Sequence, residues 1–307
     1  MPSQAASRPP ASAAPPEGSR LPDGRAVLGP RTTARLVDMV RESCGVSMDA
    51  SKRVLLQTRL DKRLKALGLD DFESYCDYLS TPVGREAELQ AFVDSVVTNE
   101  TSFFREQPHF DYLTAERLDA LAAGGKPGSI AVWSAAGSTG QEAYSAAMHL
   151  AAANGGRLLS SKWDWSVLCT DISIRALSHA RRGVYDHADL DRLPEGYASA
   201  FFERTGAASA AGAGTQVRIS QPIRERVSFG QINLMHERYQ PRRMMDVIFC
   251  RNVLIYFDLD VQQQIIAKLC QHLRPGGLLI LGHAESARGG KAPLRLLLNT
   301  IYERLDD

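Results

Sequence analysis

Residues 132–148 read VWSAAGSTGQEAYSAAM, and this stretch decides the fold class. An apolar run ends at a Gly-Ser-Thr-Gly turn, and a helix-compatible run follows with Gln141 and Glu142 at its start. A buried strand, a glycine-containing turn and a helix form the first unit of an open α/β sheet, in which ligands lie beyond the carboxyl ends of the strands. Gly137 and Gly140 allow positive φ and close approach of a ligand to the backbone. The spacing is GxxG rather than the GxGxxG of a dinucleotide site, so the turn alone does not identify the ligand.

Strands and helices alternate along the chain from about residue 129. Strands are predicted for SIAVWSAA, DWSVLCTD, MDVIFCRN, GGLLILGH and LLLNTIYER, and helices for QEAYSAAMHLAAA, SIRALSHARRGVY and DVQQQIIAKLCQHL. This alternation predicts an α/β fold with a parallel, doubly wound, Rossmann-like sheet. The short pieces TQVRIS and ERVSFGQINL interrupt the pattern, and we predict a small antiparallel β insertion at about 187–235.

The first third of the chain differs from the rest in composition and in the periodicity of its apolar residues. Residues 1–28 are rich in proline, alanine and serine and are predicted to be a disordered tail. Residues 29–97 are predicted to form a small all-helical domain, and residues 98–307 the α/β domain. One helix places apolar side chains at spacings of three and four, and a second carries a leucine stripe that stops at Gly68: Leu36, Met39 and Val40, then Leu56, Leu60, Leu64 and Leu67.

Basic side chains lie beside the leucine stripe of the second helix. We call Lys52, Arg59, Lys62 and Arg63 the basic ridge, which only Asp61 opposes in the sequence of this helix. A solvated helix face explains such a charge run. A docking surface for an acidic helix is the functional alternative.

Composition excludes several classes of protein. The 307 residues carry a formal net charge of +1, which gives no overall attraction to nucleic acid or to an acidic membrane. The five cysteines are scattered without metal-ligand spacing, so no metal site is predicted and reduced thiols in the cytoplasm are expected. No apolar run approaches the roughly 18–20 residues that span a bilayer. We therefore expect a soluble cytoplasmic protein without membrane insertion.

Two acidic side chains indicate a nucleoside ligand. Asp171 ends the second predicted strand, where a carboxylate can accept two hydrogen bonds from a ribose diol, and Glu142 can reach the other side of the same crevice. As an alternative, Asp171 could cap the next helix, a role that stabilises a helix by about 1 kcal/mol. A nearby carboxylate and the lack of a basic phosphate clamp favour a ligand without phosphates, and S-adenosylmethionine is such a ligand.

Five motifs then carry a family resemblance. The chain resembles the chemotaxis receptor glutamate O-methyltransferase (CheR) family in TNETSFFRE (98–106), WSAAGSTGQEAYS (133–145), TDIS (170–173), FCRNVLIYFD (249–258) and LRPGGLLILGHAES (273–286). The similarity extends over residues ~31–305 and includes RLDKRLKALGLDDFESY in the helical domain. One departure is that the family commonly has GEEPYS after the turn, where this chain has Gly140-Gln141-Glu142-Ala143-Tyr144-Ser145.

The resemblance implies a fold and an activity. The fold is a helical domain followed by a Rossmann-like methyltransferase domain with an inserted small antiparallel β-subdomain. The activity is methyl transfer from S-adenosylmethionine to glutamate side chains on the cytoplasmic helical bundle of a chemoreceptor, which yields glutamate methyl esters and S-adenosylhomocysteine. In some relatives the β-subdomain captures a peptide at the receptor's C-terminus, and a monomer is expected. Two alternatives stay open: a cofactor-binding sensor or scaffold without transfer, and a methyltransferase for another protein or a small molecule.

The resemblance also implies roles for individual residues. Arg105 and Tyr256 are the catalytic candidates on the acceptor side, and the basic ridge becomes the receptor-docking surface. Glu142 and Asp171 are implied to hold the amino-acid end of the cofactor and its ribose. The whole implied cofactor pocket comprises Asn99, Thr101, Arg105, Gly137, Glu142, Asp171, Asn233, Leu234, Asn252 and Val253. Without the resemblance, Tyr256 would be interpreted as a core aromatic residue and Asn252 as a turn residue at a strand end.

Overall fold

The computed structural model describes residues 16, 18–22, 24–124, 128–155, 162–208 and 215–306. The chain divides into two compact units, Met1–Ser43 with Met48–Val96, and Cys44–Ser47 with Val97–Asp307. The first unit is helical in its described part, and the second is an α/β unit. None of the helices in the described ranges is long and apolar enough to cross a membrane.

The helical unit confirms the predicted periodicity. Its helices are α1 (Pro30–Cys44), α2 (Arg53–Leu67), α3 (Phe72–Ser80) and α4 (Pro82–Val96), with a 3-10 helix at Ala50–Lys52. Leu36 and Val40 of α1 and the leucines at 56, 60 and 64 of α2 are buried. Gly68 ends α2 with a φ of 67°, a conformation that glycine adopts without steric cost.

Ordered structure begins before the predicted boundary at residue 29. Ala26 and Leu28 are buried, and the backbone N–H of Leu28 donates to Oε1 of Gln57 at 3.0 Å. The prediction of a disordered tail is therefore wrong for the residues just before 29, because their apolar side chains complete the core of the helical unit. Residues 1–15, 17 and 23, where the rest of that prediction falls, lie outside the described residues.

The described residues of the α/β unit form two sheets. Its strands are β1 (Ser129–Ala135), β2 (Asp164–Asp171), β3 (Val184–Asp186), β4 (Phe202–Ala208), β5 (Thr215–Ile219), β6 (Val227–Gln231), β7 (Met245–Cys250), β8 (Leu273–Leu281), β9 (Leu294–Leu298) and β10 (Ile301–Arg304). The large sheet has the order β6-β2-β1-β7-β8-β10-β9, and its first five strands are parallel. The last two are antiparallel to their neighbours, so the sheet is mixed and not wholly parallel as predicted. Asn299, with a φ of 47°, lies in the short turn that reverses the chain between β9 and β10.

Helices cover both faces of the large sheet. They are α5 (Pro108–Tyr112), α6 (Ala115–Gly124), α7 (Gln141–Ala153), α8 (Ile174–Arg182), α9 (Tyr197–Phe201), α10 (Gln221–Arg224) and α11 (Leu259–Cys270). Side chains alternate along β1, so that Val132 belongs to the core on one face and Trp133 to the core on the other. The full burial of β1 follows from its central position in a sheet covered on both faces.

The inserted sheet is smaller than predicted. Strands β3, β5 and β4 form it in that order, and both of its pairings are antiparallel. TQVRIS supplies β5 as predicted, but ERVSFGQINL supplies β6, which joins the large sheet parallel to β2. The boundaries of 187–235 are therefore wrong, since the insertion starts at β3 and ends with β5. Between β3 and β4 lies a 3-10 helix at His187–Arg192, which we call the insertion helix.

Candidate functional site

Most of the predicted site residues lie at or just after the ends of four neighbouring strands of the large sheet. Parallel strands end at the same edge, so the segments after β1, β2, β6 and β7 converge there. These segments contain most of the predicted pocket: Gly137, Glu142, Asp171, Asn233, Leu234, Asn252 and Val253.

The turn after β1 is tight and conformationally demanding. Ala136, Ser138 and Gly140 have φ values of 64°, 51° and 96°. Gly137, although glycine allows positive φ, does not have it here. A Cβ there would lie 2.5 Å from both Ser134 Oγ and Cys169 Sγ, so this position needs glycine for space.

Asp171 fixes this turn to the end of β2. Its buried carboxylate accepts hydrogen bonds from the backbone N–H groups of Ser138 and Ser173, each at 2.8 Å. Ser173, and not Asp171, is the N-cap of α8, because its hydroxyl accepts from the N–H of Ala176 at 3.0 Å. The alternative interpretation of Asp171 as a helix cap is therefore wrong.

Glu142 is held by an arginine that the sequence analysis missed. Its Oε1 accepts from Ser134 Oγ at 2.7 Å, and its Oε2 pairs with Nε of Arg251 at 2.8 Å. Arg251 is 5% exposed, so both partners of this ion pair are buried. The arginine follows β7 in the CRN motif, and this position was the signal that could have identified it.

Arg251 also organises the residues around α5. Its Nη1 donates to the backbone oxygen of Arg105 at 2.6 Å and to Nδ1 of His109 at 3.0 Å. Nε2 of His109 therefore carries the ring proton and faces Thr300 Oγ1 at 3.1 Å. Burial, and then the charge of Arg251, lowers the pKa of His109 to about 4. The imidazole is neutral at pH 7.

One cluster in the described residues has the composition of a metal site. Candidate ligand atoms of Glu106, His109 and His283 lie within 4.8 Å of one another. However, the Arg251 guanidinium occupies His109 Nδ1 and lies 3.7 Å from Glu106 Oε2. A fixed cation in this position repels a metal ion, so the cluster is better explained as part of the arginine network.

A second acid missed from the sequence orders the loop after β7. The buried carboxylate of Glu285 accepts backbone N–H groups of Gly282, Asn252, Val253 and Leu254 at 2.6–2.9 Å. Burial raises the pKa of Glu285. Asn252 has a φ of 58° and donates its side-chain amide to Glu106 Oε1 at 3.0 Å. Asn252 is thus held by Glu285 and Glu106, and Val253 is held by Glu285.

The segment before α5 lies against the turn after β1. The carbonyl of Asn99 accepts from Ser138 Oγ at 2.9 Å, and the N–H of Phe104 donates to Ser145 Oγ at 2.9 Å. Arg105 donates to the backbone oxygen of Glu100 at 3.2 Å. Thr101 and Arg105 both line a cavity of ≈ 400 Å³.

Comparisons with known proteins identify the family. The family profile "CheR methyltransferase, SAM binding domain" matches residues 99–302, and "CheR methyltransferase, all-alpha domain" matches residues 32–97. This chain belongs to the CheR methyltransferase family. It is 36% identical to the chemotaxis protein methyltransferase of Escherichia coli strain K12 over 87% of this chain and 88% of that protein. It is 31% identical to the corresponding protein of Borreliella burgdorferi over 88% and 93% of the two chains.

A weaker likeness exists to a solved structure. The glycopeptide N-methyltransferase MtfA in complex with S-adenosylhomocysteine is 14% identical, with a TM-score of 0.35 over 73% of this chain and 70% of that chain. The family assignment itself establishes this chain as an S-adenosylmethionine-dependent protein-glutamate methyltransferase of chemotaxis.

The strand-edge residues of this CheR protein fit its cofactor chemically. Asp171 ends β2, and Asn233 and Asn252 follow β6 and β7; carboxylate and amide groups of this kind match the hydroxyls and base edge of a nucleoside. Asn233 Oδ1 accepts the N–H of Met235 at 2.9 Å, and the backbone oxygen of buried Leu234 accepts from the Tyr239 hydroxyl at 2.7 Å.

Tyr256, the acceptor-side candidate, lies in the 3-10 helix Leu254–Tyr256 and is half-buried. Its backbone oxygen accepts from the N–H of Ser47 at 2.7 Å. No group within the described part of the chain hydrogen-bonds its hydroxyl, which leaves that hydroxyl available to a substrate.

The basic ridge is partly neutralised within the helical unit. Arg63 makes a two-point ion pair with the buried carboxylate of Glu88 on α4, with both contacts at 2.7 Å, and the Tyr75 hydroxyl joins it at 2.9 Å. Glu88, which lies on another helix, therefore opposes the ridge in addition to Asp61. Arg59 donates to the backbone oxygen of Val96 at 2.5 Å. Lys52 and Lys62 remain exposed.

Proposed function

We propose that S-adenosylmethionine binds at the carboxyl ends of the parallel strands, around the hydrogen bond between Asp171 and Ser138. We further propose that the acceptor is a glutamate on the cytoplasmic helical bundle of a chemoreceptor. Asp171 would hold the ribose diol, and Asn233 and Leu234 would lie beside the adenine. Asn99 and Thr101 would cover the cofactor, with Gly137, Glu142, Asn252 and Val253 completing the pocket. The buried carboxylate of Asp171, fixed against the turn by two backbone N–H groups, is the observation that carries this proposal.

Methyl transfer to a glutamate carboxylate requires that the reactants be positioned and does not require a general base. A glutamate side chain has a reference pKa of about 4.3, so it is already a carboxylate at neutral pH. The bound cofactor supplies a methyl group activated by sulfonium. The protein must hold the attacking oxygen in line with that methyl group, and such alignment contributes roughly 7–11 kcal/mol to lowering a barrier. The neutral, buried His109 is therefore a structural residue and not a proton acceptor.

Arg105 and Tyr256 are the proposed acceptor-side residues. The Arg105 guanidinium has a hydrogen bond to the Glu100 carbonyl, which leaves further N–H groups for a carboxylate. The Tyr256 hydroxyl supplies a neutral donor. A guanidinium that paired fully with the acceptor would reduce its nucleophilicity, so a partial or water-mediated contact fits the reaction better.

The exposed lysines of the basic ridge suit receptor docking. Lys52 and Lys62 would attract an acidic helical surface, while Arg59 and Arg63 support the ridge through their contacts within the helical unit. The small sheet has two outer strands, β3 and β4, to which an extended receptor peptide could add as a further strand. We place this monomeric enzyme in the cytoplasm, together with the receptor helices.

Methyl transfer to a panel of receptor cytoplasmic fragments tests the proposal. Labelled methyl from S-adenosylmethionine should appear on a receptor and leave as methanol in alkali. Arg105→Ala should lower turnover at least about tenfold but change the Kd of S-adenosylhomocysteine less than about threefold, because its proposed partner is the acceptor. Comparable losses in both quantities would defeat that assignment. Cofactor binding without receptor labelling would favour the sensor or scaffold alternative.

A further inference from the structure

Glu106 lies next to Arg105, the proposed acceptor-side residue, in the segment that precedes α5. Its carboxylate is largely buried, with 12% of the side chain exposed. Oε1 accepts two hydrogen bonds, one from the side-chain amide of Asn252 at 3.0 Å and one from the backbone N–H of His283 at 3.3 Å. The carboxylate therefore connects three segments of the α/β unit, namely the one before α5 and those that follow β7 and β8.

The backbone on both sides of Arg105 is strained and is held by specific contacts. Phe104 and Glu106 have φ values of 49° and 57°. Left-handed backbone is unfavourable for residues other than glycine and persists only where neighbouring groups fix it. The N–H of Phe104 donates to Ser145 Oγ. The carbonyl of Arg105 accepts from Nη1 of Arg251. The Glu106 carboxylate supplies the next contact along the chain, so three consecutive residues are fixed.

Glu106 is ionised at neutral pH. Burial alone would raise its pKa, but the hydrogen bonds from Asn252 and His283 and the charge of Arg251 outweigh burial and lower the pKa. Within the described residues Oε2 has no hydrogen-bond partner, and it lies 3.7 Å from Nη1 of Arg251. The guanidinium balances the charge of the carboxylate, while Oε1 holds the two N–H groups.

Two groups of the proposed reaction site thus depend on one carboxylate. Asn252 belongs to the proposed cofactor pocket, and its side-chain amide is oriented by Glu106 Oε1. Arg105 is the proposed contact to the acceptor, and the residue that follows it is fixed by the same carboxylate. Truncation of Glu106 would release both groups at once.

We propose that Glu106 is a positioning residue that orients Arg105 toward the acceptor and Asn252 toward the cofactor, and so couples the two halves of the reaction site. This inference rests on the proposed binding of S-adenosylmethionine and on the proposed acceptor role of Arg105. Glu106 acts only through these two residues. A bound cofactor that orders Asn252 also favours, through Glu106, the productive position of Arg105.

Double-mutant cycles test this coupling, with kcat measured on a receptor fragment and the Kd of S-adenosylhomocysteine measured by calorimetry. Glu106→Ala should lower kcat about tenfold and weaken S-adenosylhomocysteine about three- to tenfold. In an Arg105→Ala background it should lower kcat by less than about a further twofold, while the loss of affinity persists.

The second cycle uses Asn252→Gly, because glycine tolerates the φ of 58° at this position. In that background Glu106→Ala should weaken S-adenosylhomocysteine by less than about a further twofold, while the loss in kcat persists. A residue that only stabilised the fold would lower both quantities in both backgrounds, so this crossed pattern is specific to positioning.

Two glutamine variants complete the set. Glu106→Gln retains an oxygen that can accept both N–H groups, so it should recover most of both losses. Glu116→Gln changes an exposed glutamate on α6 and should alter neither kcat nor the Kd of S-adenosylhomocysteine.

Three outcomes would overturn the proposal. Unchanged kcat and affinity in Glu106→Ala would show that the carboxylate positions neither residue. Losses that add fully in both backgrounds, in proteins that thermal melts show to be folded, would show a general structural role. Equal losses in Glu106→Gln and Glu106→Ala would exclude the hydrogen bonds as the cause.

Failure of the proposed function would look different. If the unmodified enzyme methylated no receptor fragment, the proposed acceptor would be wrong, and the cycle of Glu106 with Asn252 on S-adenosylhomocysteine would still decide the cofactor half of the coupling. If Arg105→Ala kept full activity, the acceptor role of Arg105 would be refuted, and the acceptor half of the coupling would be refuted with it.

Discussion

Arg251 links several parts of the site through one buried guanidinium. It pairs with Glu142, holds the backbone of Arg105 and fixes the tautomer of His109, and it lies 5.3–5.4 Å from the ring centres of Phe110 and Phe249. Removing either partner of such a buried pair leaves an uncompensated charge, at a typical cost of about 3–5 kcal/mol. The motif around Arg251 was noticed in the sequence, but its partner is 109 residues away in the chain. Pairings of this kind depend on the tertiary fold and do not follow from local pattern.

The sequence also did not predict which single residues have a strained backbone. Phe104, Glu106, Ala136, Ser138 and Asn252 have positive φ without being glycine, and all belong to the segments that converge on the site. Each such conformation costs about 1–3 kcal/mol and persists only where its surroundings fix it. The sequence indicated flexible glycines in this region, whereas the structure places much of the left-handed backbone on other residues.

His109 should make stability depend on pH. Its pKa is lowered from 6.5 to about 4 in the folded state, so between these values the unfolded chain binds the additional proton. The stabilisation is complete above about pH 6.5 and is lost as pH falls toward 4, with an upper limit of about 3 kcal/mol. Urea unfolding at several pH values in this range should show the slope in the unmodified protein and a reduced slope in His109→Gln. His187→Gln, at an exposed position, serves as the control, and equal slopes in all three proteins would contradict the prediction.

At the scale of elements, local sequence pattern predicted the limits of individual helices and strands better than it predicted which strands pair. The limits of α7 and β2 agree with the predicted QEAYSAAMHLAAA and DWSVLCTD, because helical or strand character is set within each segment. The assignment of β6 to the insertion was wrong because the strand with which β6 pairs depends on which edge of a sheet is free in the tertiary fold. β2 pairs with β6 over Val167–Asp171, a contact that no short-range signal specifies.

Glu285 should be essential to the loop after β7. Glu285→Ala would leave the N–H groups of Gly282, Asn252, Val253 and Leu254 without their acceptor, and we expect a loss of about 3 kcal/mol or more in the free energy of unfolding. The loop would no longer hold Asn252 at positive φ, so S-adenosylhomocysteine should also bind less tightly. Denaturant unfolding and calorimetry measure the two effects.

Glu237→Ala provides the control for Glu285, since Glu237 is exposed. It should change stability by no more than about 0.5 kcal/mol. A Glu285→Ala protein as stable as this control would show that water replaces the carboxylate without cost, and the proposed role in ordering the loop would then be abandoned.

At the scale of the whole molecule, the chain combines two kinds of recognition. The α/β unit contains the proposed cofactor and acceptor groups, while the helical unit has exposed lysines and an internal Arg63–Glu88 pair. The basic ridge was predicted from the sequence of one helix, which could not reveal that Glu88 on α4 neutralises Arg63. The structure therefore divides the ridge into lysines available for docking and arginines that support the unit.

This division predicts how ridge variants behave. Lys52→Glu and Lys62→Glu should each raise the KM for a receptor fragment about five- to tenfold at low salt, while kcat and the Kd of S-adenosylhomocysteine stay constant. The difference from the unmodified enzyme should shrink as ionic strength rises from about 0.05 to about 0.5 M, because the Debye length shortens. Arg63→Gln should instead lower the stability of the protein, since it leaves the Glu88 carboxylate buried without its partner.

Lys291→Glu makes the same charge change at an exposed position in the other unit and is the matched control. Steady-state kinetics with receptor fragments at the two salt concentrations compares all four variants. If Lys291→Glu raised KM as much as the ridge variants, net charge alone would explain the effect, and the ridge would lose its proposed role. If only Lys52→Glu and Lys62→Glu did so, the receptor would be recognised at the exposed lysines, and the Arg63–Glu88 ion pair would be explained by the fold of the helical unit.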